Sequence, residues 1–180
     1  MVIETTRLII RSLNLKELIG YLEGKNPFDD FNIMLSKNEI DEQLHLALLN
    51  EIIPNLKKNR NNILFYTLWL ITDKRFNMST GSILFKGKPD AEGKVEIGYG
   101  THEEFQNKGY MTEAVEAFCR RAFDERSVKI VTAETAKNNP ASFKVLEKNN
   151  FVMFDENNEF YYWKKTREMS KALTDLTLRK

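Results

Sequence analysis

Cysteine is almost missing from this chain: Cys119 is the only one in 180 residues. A lone thiol makes no internal disulfide and no cysteine-built zinc site. Histidine is nearly as scarce. His45 and His102 stand far apart, and their spacing suggests no metal cluster, so no metal is expected. Neither sign of charge prevails, with 27 Lys and Arg against 26 Asp and Glu, a formal net charge of +1. A dedicated nucleic-acid binder carries a basic excess, so no nucleic-acid partner is expected. No apolar run approaches the roughly 18 residues that a membrane span needs. The opening, Met1 to Arg7, has no basic segment leading into an apolar one. A cytoplasmic protein without membrane contact is the expectation.

What the chain does have is core material. Hydrophobic residues make up 42%, including 12 Phe, 6 Tyr and 2 Trp. That much apolar area argues against intrinsic disorder. A chain of this length buries roughly 70% of its unfolded surface without staples. One domain over residues 1–180 is the expectation, with the charged stretch 166–180 as a loose tail.

Periodicity divides the chain into alternating element types. Ile3 to Ser12 reads as a strand. Asn14 suits the cap of a helix from Leu15 to Leu22, stopped by Gly24. A loop follows, Lys25 to Asn32. Ile40, Leu44, Ala47, Leu48, Ile52 and Leu56 then recur at helical spacing over 39–58, with Pro54 set to kink or shorten that helix. Ile63 to Thr72 is apolar on both parities, the mark of a strand covered on both faces. Further strands are expected at 81–86 and 94–100, a helix at 109–124, a strand at 128–134, a helix at 139–149, and strands at 151–154 and 159–165. Seven strands in this order predict an α/β (α+β) fold with a mixed, largely antiparallel sheet and helices on both faces.

The segment most informative about chemistry is Val95 to Ala114, which runs from a strand through a loop into a helix start. The first turn of a helix leaves about four backbone N–H groups unpaired, and the helix dipole adds to their pull on an anion. Gly109 allows close backbone approach there, Lys108 offers charge, and Thr112 offers a hydroxyl. The plain reading is a surface loop with a breaker glycine. No Gly-Lys-Ser/Thr loop and no three-glycine dinucleotide fingerprint competes for the phosphate role.

Gln106-Asn107-Lys108-Gly109-Tyr110-Met111 resembles the Gln/Arg-x-x-Gly-x-Gly/Ala loop of the GNAT N-acetyltransferase superfamily. Val95–Gly100 is similar to that family's central strand, and Val131–Thr135 to the next. Asn139 to Phe151 resembles the Asn-x-x-Ser…Leu-Glu-Lys-x-Gly-Phe segment of the ribosomal-protein N-terminal acetyltransferase branch, and Thr6 to Arg11 fits the same branch. The resemblance reaches from the N-terminus to Phe154. It departs from the pattern at Met111, where a small residue is usual, and at Asn150, where glycine is usual. Asn tolerates the left-handed conformation of a helix end.

The resemblance implies transfer of acetyl from acetyl-coenzyme A, a co-substrate, to a primary amine of a small molecule or a peptide N-terminus. It implies that backbone amides of Gln106, Asn107, Lys108, Gly109, Tyr110, Met111 and Thr112 hold the coenzyme's diphosphate. Backbone groups of Ile97, Gly98 and Tyr99, with Asn139 and Ser142, would hold its pantetheine arm between two splayed strands. Asn139-Pro140 is also a helix cap and first-turn pair in its own right. Glu96 and Glu134 are both candidates for the general base, and Tyr99 for an acid. Each also has a plainer reading, as an outward carboxylate or a packing tyrosine. Phe28, Asp29 and Phe31 in the first long loop, and His102 beside the phosphate loop, would border the acceptor amine. A surface loop with a partly buried phenylalanine is the plainer account of the first three. Met111 keeps a second function open, a coenzyme A-binding module without turnover. A homodimer is open as well, through exposed strands near the C-terminus.

Overall fold

The computed structural model describes residues 1–28, 32–36 and 40–170. Their strands form one eight-stranded sheet in the order β1-β2-β3-β4-β5-β6-β8-β7. The strands are β1 (Val2–Glu4), β2 (Leu8–Ser12), β3 (Leu68–Asp73), β4 (Met78–Phe85), β5 (Lys94–Thr101), β6 (Ile130–Ala136), β7 (Val152–Glu156) and β8 (Phe160–Thr166). Every neighbouring pair is antiparallel except β5 with β6. The mixed, largely antiparallel sheet is therefore as expected, with one strand more than the sequence suggested.

The additional strand comes from the N-terminus. Residues 3–12 are not one strand but two, β1 and β2, which pair with Ile3 opposite Ile10. Thr5 accounts for the break. Its N–H donates to the Leu8 carbonyl and its hydroxyl accepts from the Leu8 N–H, which closes a tight turn. The apolar run 63–72 is corrected at its front end. Ile63–Tyr66 forms one helical turn (α4), and only Leu68–Asp73 is strand. An apolar run alone does not separate a buried helical turn from a buried strand. All six residues of β3 are buried, so the expectation of cover on both faces holds.

The helical predictions fare well. Asn14 caps α1 (Leu15–Leu22) in a reciprocal box with Glu17. Asp41 opens a long helical segment, α2 (Glu42–Ala47), a π-helical stretch Leu48–Ile52, and α3 (Ile53–Lys58). Pro54 does not end it, since the helical segment runs on to Lys58. A proline ring clashes with the carbonyl four residues back. The chain widens just before it, with the Ile53 N–H donating to the Leu48 carbonyl five residues back. α5 (Tyr110–Asp124) buries Met111, Ala114, Val115, Phe118 and Ala122 along one face, at the helix expected over 109–124.

α6 (Pro140–Lys148) ends in two bonds, Phe151 N–H to the Leu146 carbonyl and Asn150 N–H to the Glu147 carbonyl, with Asn150 at φ 59°. This is a Schellman end in which asparagine does the work of glycine.

Two apolar clusters lie on opposite faces of the sheet. α5 packs against Ile83, Phe85, Val95 and Ile97 on one face, with Trp69 and Phe118 edge to face at 5.5 Å. The helices from α1 to α3 cover Leu68 and Leu70 on the other. Among the described residues, no helix is long and apolar enough to cross a membrane.

Candidate active site

The single parallel pair creates the site. β5 and β6 run in register from Lys94 opposite Ile130 to Ile97 opposite Ala133, and pair no further. Past that point β5 stays with β4 as far as Thr101 opposite Gly81, while β6 stays with β8 as far as Ala136 opposite Phe160. Each strand keeps its outer neighbour, so the inner edges open into a fork. The Glu96 carbonyl accepts from Lys86 and the His102 N–H donates to Thr80, so even-numbered residues of β5 bond toward β4. Backbone groups alternate sides along a strand. The N–H and C=O of Tyr99 therefore face the fork, where a sheet partner is missing.

The fork opens into a cleft of about 450 Å³. Gly98–His102 and Glu134–Ala136 form its floor, Asn139 and Ser142 one end, and Leu44, Glu51 and Ile52 of the helical segment part of its far wall. Gly98 and Gly100 lie in the floor, and a Cβ at Gly100 would meet no atom within 4 Å. The absence of side chains there leaves room.

Tyr99 and Ser142 join β5 to α6 at one end of the cleft. The Ser142 hydroxyl donates to the Tyr99 hydroxyl at 2.9 Å, and the Tyr99 hydroxyl donates to the Ser142 carbonyl at 3.2 Å. Burial pushes the Tyr99 phenol up to about 12, against a smaller opposing effect of the Ser142 hydrogen bond. Asn139 accepts from the Ser142 N–H at 3.1 Å, the cap expected of it. Its side-chain NH₂ is not used in that bond.

The two candidate bases differ in surroundings. Glu134 is exposed in the cleft and makes no ion pair among the described residues. Glu96 is not in the cleft lining. It is ion-paired with Lys86, which is. His102 lies in the lining, with its ring 3.4 Å from the Ser79 hydroxyl.

Phe28 is a correction. It is 1% exposed in the second core cluster, with the Arg11 guanidinium 5.0 Å over its ring, and it does not reach the cleft. A phenylalanine beside a hydrophobic core gains more from burial than from solvent, whatever loop carries it. Asp29 and Phe31 lie outside the described residues. The sequence reading missed the far wall: Asp41, Gln43, Glu51 and Asn55 all line the cleft. Their polar spacing on a helix with a buried opposite face was a usable signal.

The loop before α5 is backbone-rich and open. Asn107 and Gly109 both have left-handed φ, 60° and 76°, while Lys108 between them does not. Alternating hand of this kind curls successive N–H groups inward, a concavity suited to an anion. No side chain caps α5. Lys108 closes the turn over 106–107, and the amides of Asn107 and of 109–112 make no backbone hydrogen bond among the described residues. Met111 is 5% exposed and turned into the core, so it does not crowd the loop. Gln106 bends back toward the Thr101 carbonyl at 3.5 Å. Unpaired donors at a helix start, a sheet fork and a cleft in series fit a long ligand with phosphates at one end. Among the described residues no group of His, Cys, Asp and Glu is placed to hold a metal.

A mixed sheet with one parallel fork beside an open helix start is the architecture of an acetyl-transfer enzyme. The chain belongs to the GNAT acetyltransferase family: residues 7–152 match the acetyltransferase (GNAT) domain model. It is an acetyl-coenzyme A-dependent N-acetyltransferase. It is 26% identical over 166 residues to the uncharacterized N-acetyltransferase YjdG of Bacillus subtilis (strain 168), covering 91% of this chain and 96% of that one. Its fold is similar to that of ribosomal-protein-S5-alanine acetyltransferase from Vibrio fischeri, with TM-score 0.68, 15% identity, and 93% and 97% of the two chains covered. It is also similar to RimL, a ribosomal L7/L12 alpha-N-protein acetyltransferase, in complex with coenzyme A, with TM-score 0.63, 18% identity, and 94% and 99% covered.

Proposed function

We propose that this enzyme acetylates a primary amine carried by a cationic molecule, a small amine or a peptide N-terminus, in the cleft below the β5–β6 fork. The observation that carries this reading is the charge of the cleft wall. Asp41, Glu51 and Glu134 line it without an ion pair among the described residues, whereas Lys86 is neutralised by Glu96. Like charges facing one cleft focus a field that draws in the opposite charge.

In this reading the amides of residues 107–112 hold the diphosphate, and the fork edge at Ile97–Tyr99 holds the pantetheine arm with Asn139 and Ser142. The coenzyme supplies an activated acetyl group. The Tyr99 N–H, aimed into the fork, stabilises the oxyanion that develops as the amine nitrogen bonds to the acetyl carbon. Glu134 accepts the proton that the amine loses. A phenol near 12 is a poor acid toward a thiolate, whose conjugate acid sits at about 8.5. The Tyr99 hydroxyl, turned from the Ser142 carbonyl, therefore acts as hydrogen-bond donor to the departing sulfur rather than as full proton source. The inward turn of Met111 removes the reason for a module without turnover.

Release of free thiol from acetyl-coenzyme A, measured over a panel of diamines, amino acids and short peptides, tests the reading. The expected result is amine-dependent release that favours cationic acceptors. Coenzyme binding without release for any amine would return the module; preference for anionic amines would overturn the acceptor assignment.

A further inference from the structure

The diphosphate loop is held from behind by a residue 101 positions away in the chain. Arg7, in the turn between β1 and β2, donates from its guanidinium to the Lys108 carbonyl at 3.0 Å. The same side chain pairs with Glu113 in the first turn of α5 at 2.6 Å, and the Arg7 N–H reaches the other Glu113 oxygen at 2.9 Å. Thr5 adds a third bond to that carboxylate at 2.6 Å. The Arg7 guanidinium also stacks over the Tyr110 ring, 4.8 Å from its centre. One arginine thus touches the loop, the helix start and the helix's first aromatic.

Two consequences follow from elementary geometry and charge. Across a planar trans peptide, the carbonyl of one residue and the N–H of the next point in opposite directions. Fixing the Lys108 carbonyl toward Arg7 therefore fixes the Gly109 N–H away from it, on the open side of the loop. Glu113 also places a negative charge in the helix turn that is to receive a diphosphate, and Arg7 offsets it. Desolvation pushes the Glu113 carboxyl up, but the Thr5 and Arg7 hydrogen bonds outweigh it and hold the group below its ordinary value, so it is charged at neutral pH.

Resting on the reading that this loop binds the diphosphate, we propose that Arg7 is a positioning residue for the coenzyme. It orients the Gly109 amide toward the anion and masks Glu113 from it.

The test compares acetyl-coenzyme A with S-acetylpantetheine, which lacks the 3′-phospho-ADP end of the coenzyme and with it the diphosphate that the loop would hold. Arg7→Met should raise KM for acetyl-coenzyme A about tenfold, leave kcat at saturation within about twofold, and leave kcat/KM for S-acetylpantetheine unchanged, the scale of one charge-assisted hydrogen bond. Adding Glu113→Gln to Arg7→Met should recover part of the lost affinity, because the unmasked charge is gone. Arg7→Lys, which keeps the charge and loses the fork, should fall between and serves if the methionine variant folds poorly. Equal losses on both donors would mean a merely structural arginine and would overturn the proposal. So would an unchanged KM in both variants. A wild-type enzyme that uses S-acetylpantetheine as well as acetyl-coenzyme A would instead defeat the loop assignment itself.

Discussion

The Tyr99 and Ser142 hydroxyls lie 2.9 Å apart and tie the open end of β5 to the first turn of α6. The contact crosses the mouth of the fork, so it links the strand that aims an amide inward to the helix at that end of the cleft. Tyr99→Phe removes the only hydroxyl on the β5 side of this contact. We expect kcat to fall about tenfold with KM for acetyl-coenzyme A nearly unchanged, as for loss of one hydrogen bond made mainly in the transition state. An unaltered kcat would reduce Tyr99 to packing.

The same residue predicts an alkaline weakness. The phenol is raised from 10.0 to about 12 in the folded protein. The unfolded chain releases that proton first as pH climbs, so the folded state is favoured below pH 10 and loses this advantage progressively between about 10 and 12. Thermal midpoints of the wild type should drop over that interval, and Tyr99→Phe should flatten the drop. A parallel decline in both proteins would locate the effect elsewhere.

Glu134 faces the cleft without a counter-ion among the described residues, whereas Lys86 holds Glu96. Glu134→Gln should therefore cost about 10²-fold in kcat, within the usual span for a general base, and Glu96→Gln well under tenfold. Coenzyme affinity should be the same in both. Steady-state rates across pH decide between them: a large loss confined to Glu96→Gln would move the base to β5.

At Gly109 the backbone sits at φ 76°, where a β-branched residue is strained. Gly109→Val should weaken coenzyme A binding at least tenfold by calorimetry, because relief of the strain displaces the donors of the loop. Gly109→Asn, which tolerates that region, should retain most of the affinity. Equal binding by all three proteins would show that the loop conformation is irrelevant to the coenzyme.

Gly100 offers a separation of function from stability. It lines the cleft, yet an added Cβ meets nothing within 4 Å. Gly100→Leu should raise the acceptor KM by tenfold or more through occupation of the cleft, while the thermal midpoint stays within a few degrees, the range of a substitution that disturbs no packed neighbour. Gly81 is the opposite case: a Cβ there would stand 2.1 Å from the Gly100 carbonyl, so Gly81→Ala should destabilise the fold severely.

The sequence by itself determined the elements whose signals are local. The Asn14 cap of α1, the amphipathic helix α5 and the asparagine at φ 59° after α6 depend on neighbours a few residues apart, and periodicity and cap chemistry report such neighbours directly. The loop at 106–112 was legible for the same reason, since a helix start exposes its amides whatever packs around it. The helical turn at 63–66 and the burial of Phe28 were not, because each was settled by what the segment packs against, whereas the break at Thr5 is a local turn hidden within an otherwise strand-like run. Only the tertiary structure brought Arg7 to Glu113, parted β5 from β6 after Ile97, and set Glu134 and Glu51 in one cleft. Those relations join residues far apart in the chain, and the charge and room that a side chain meets there are properties of the assembled sheet and helices, not of any stretch of sequence.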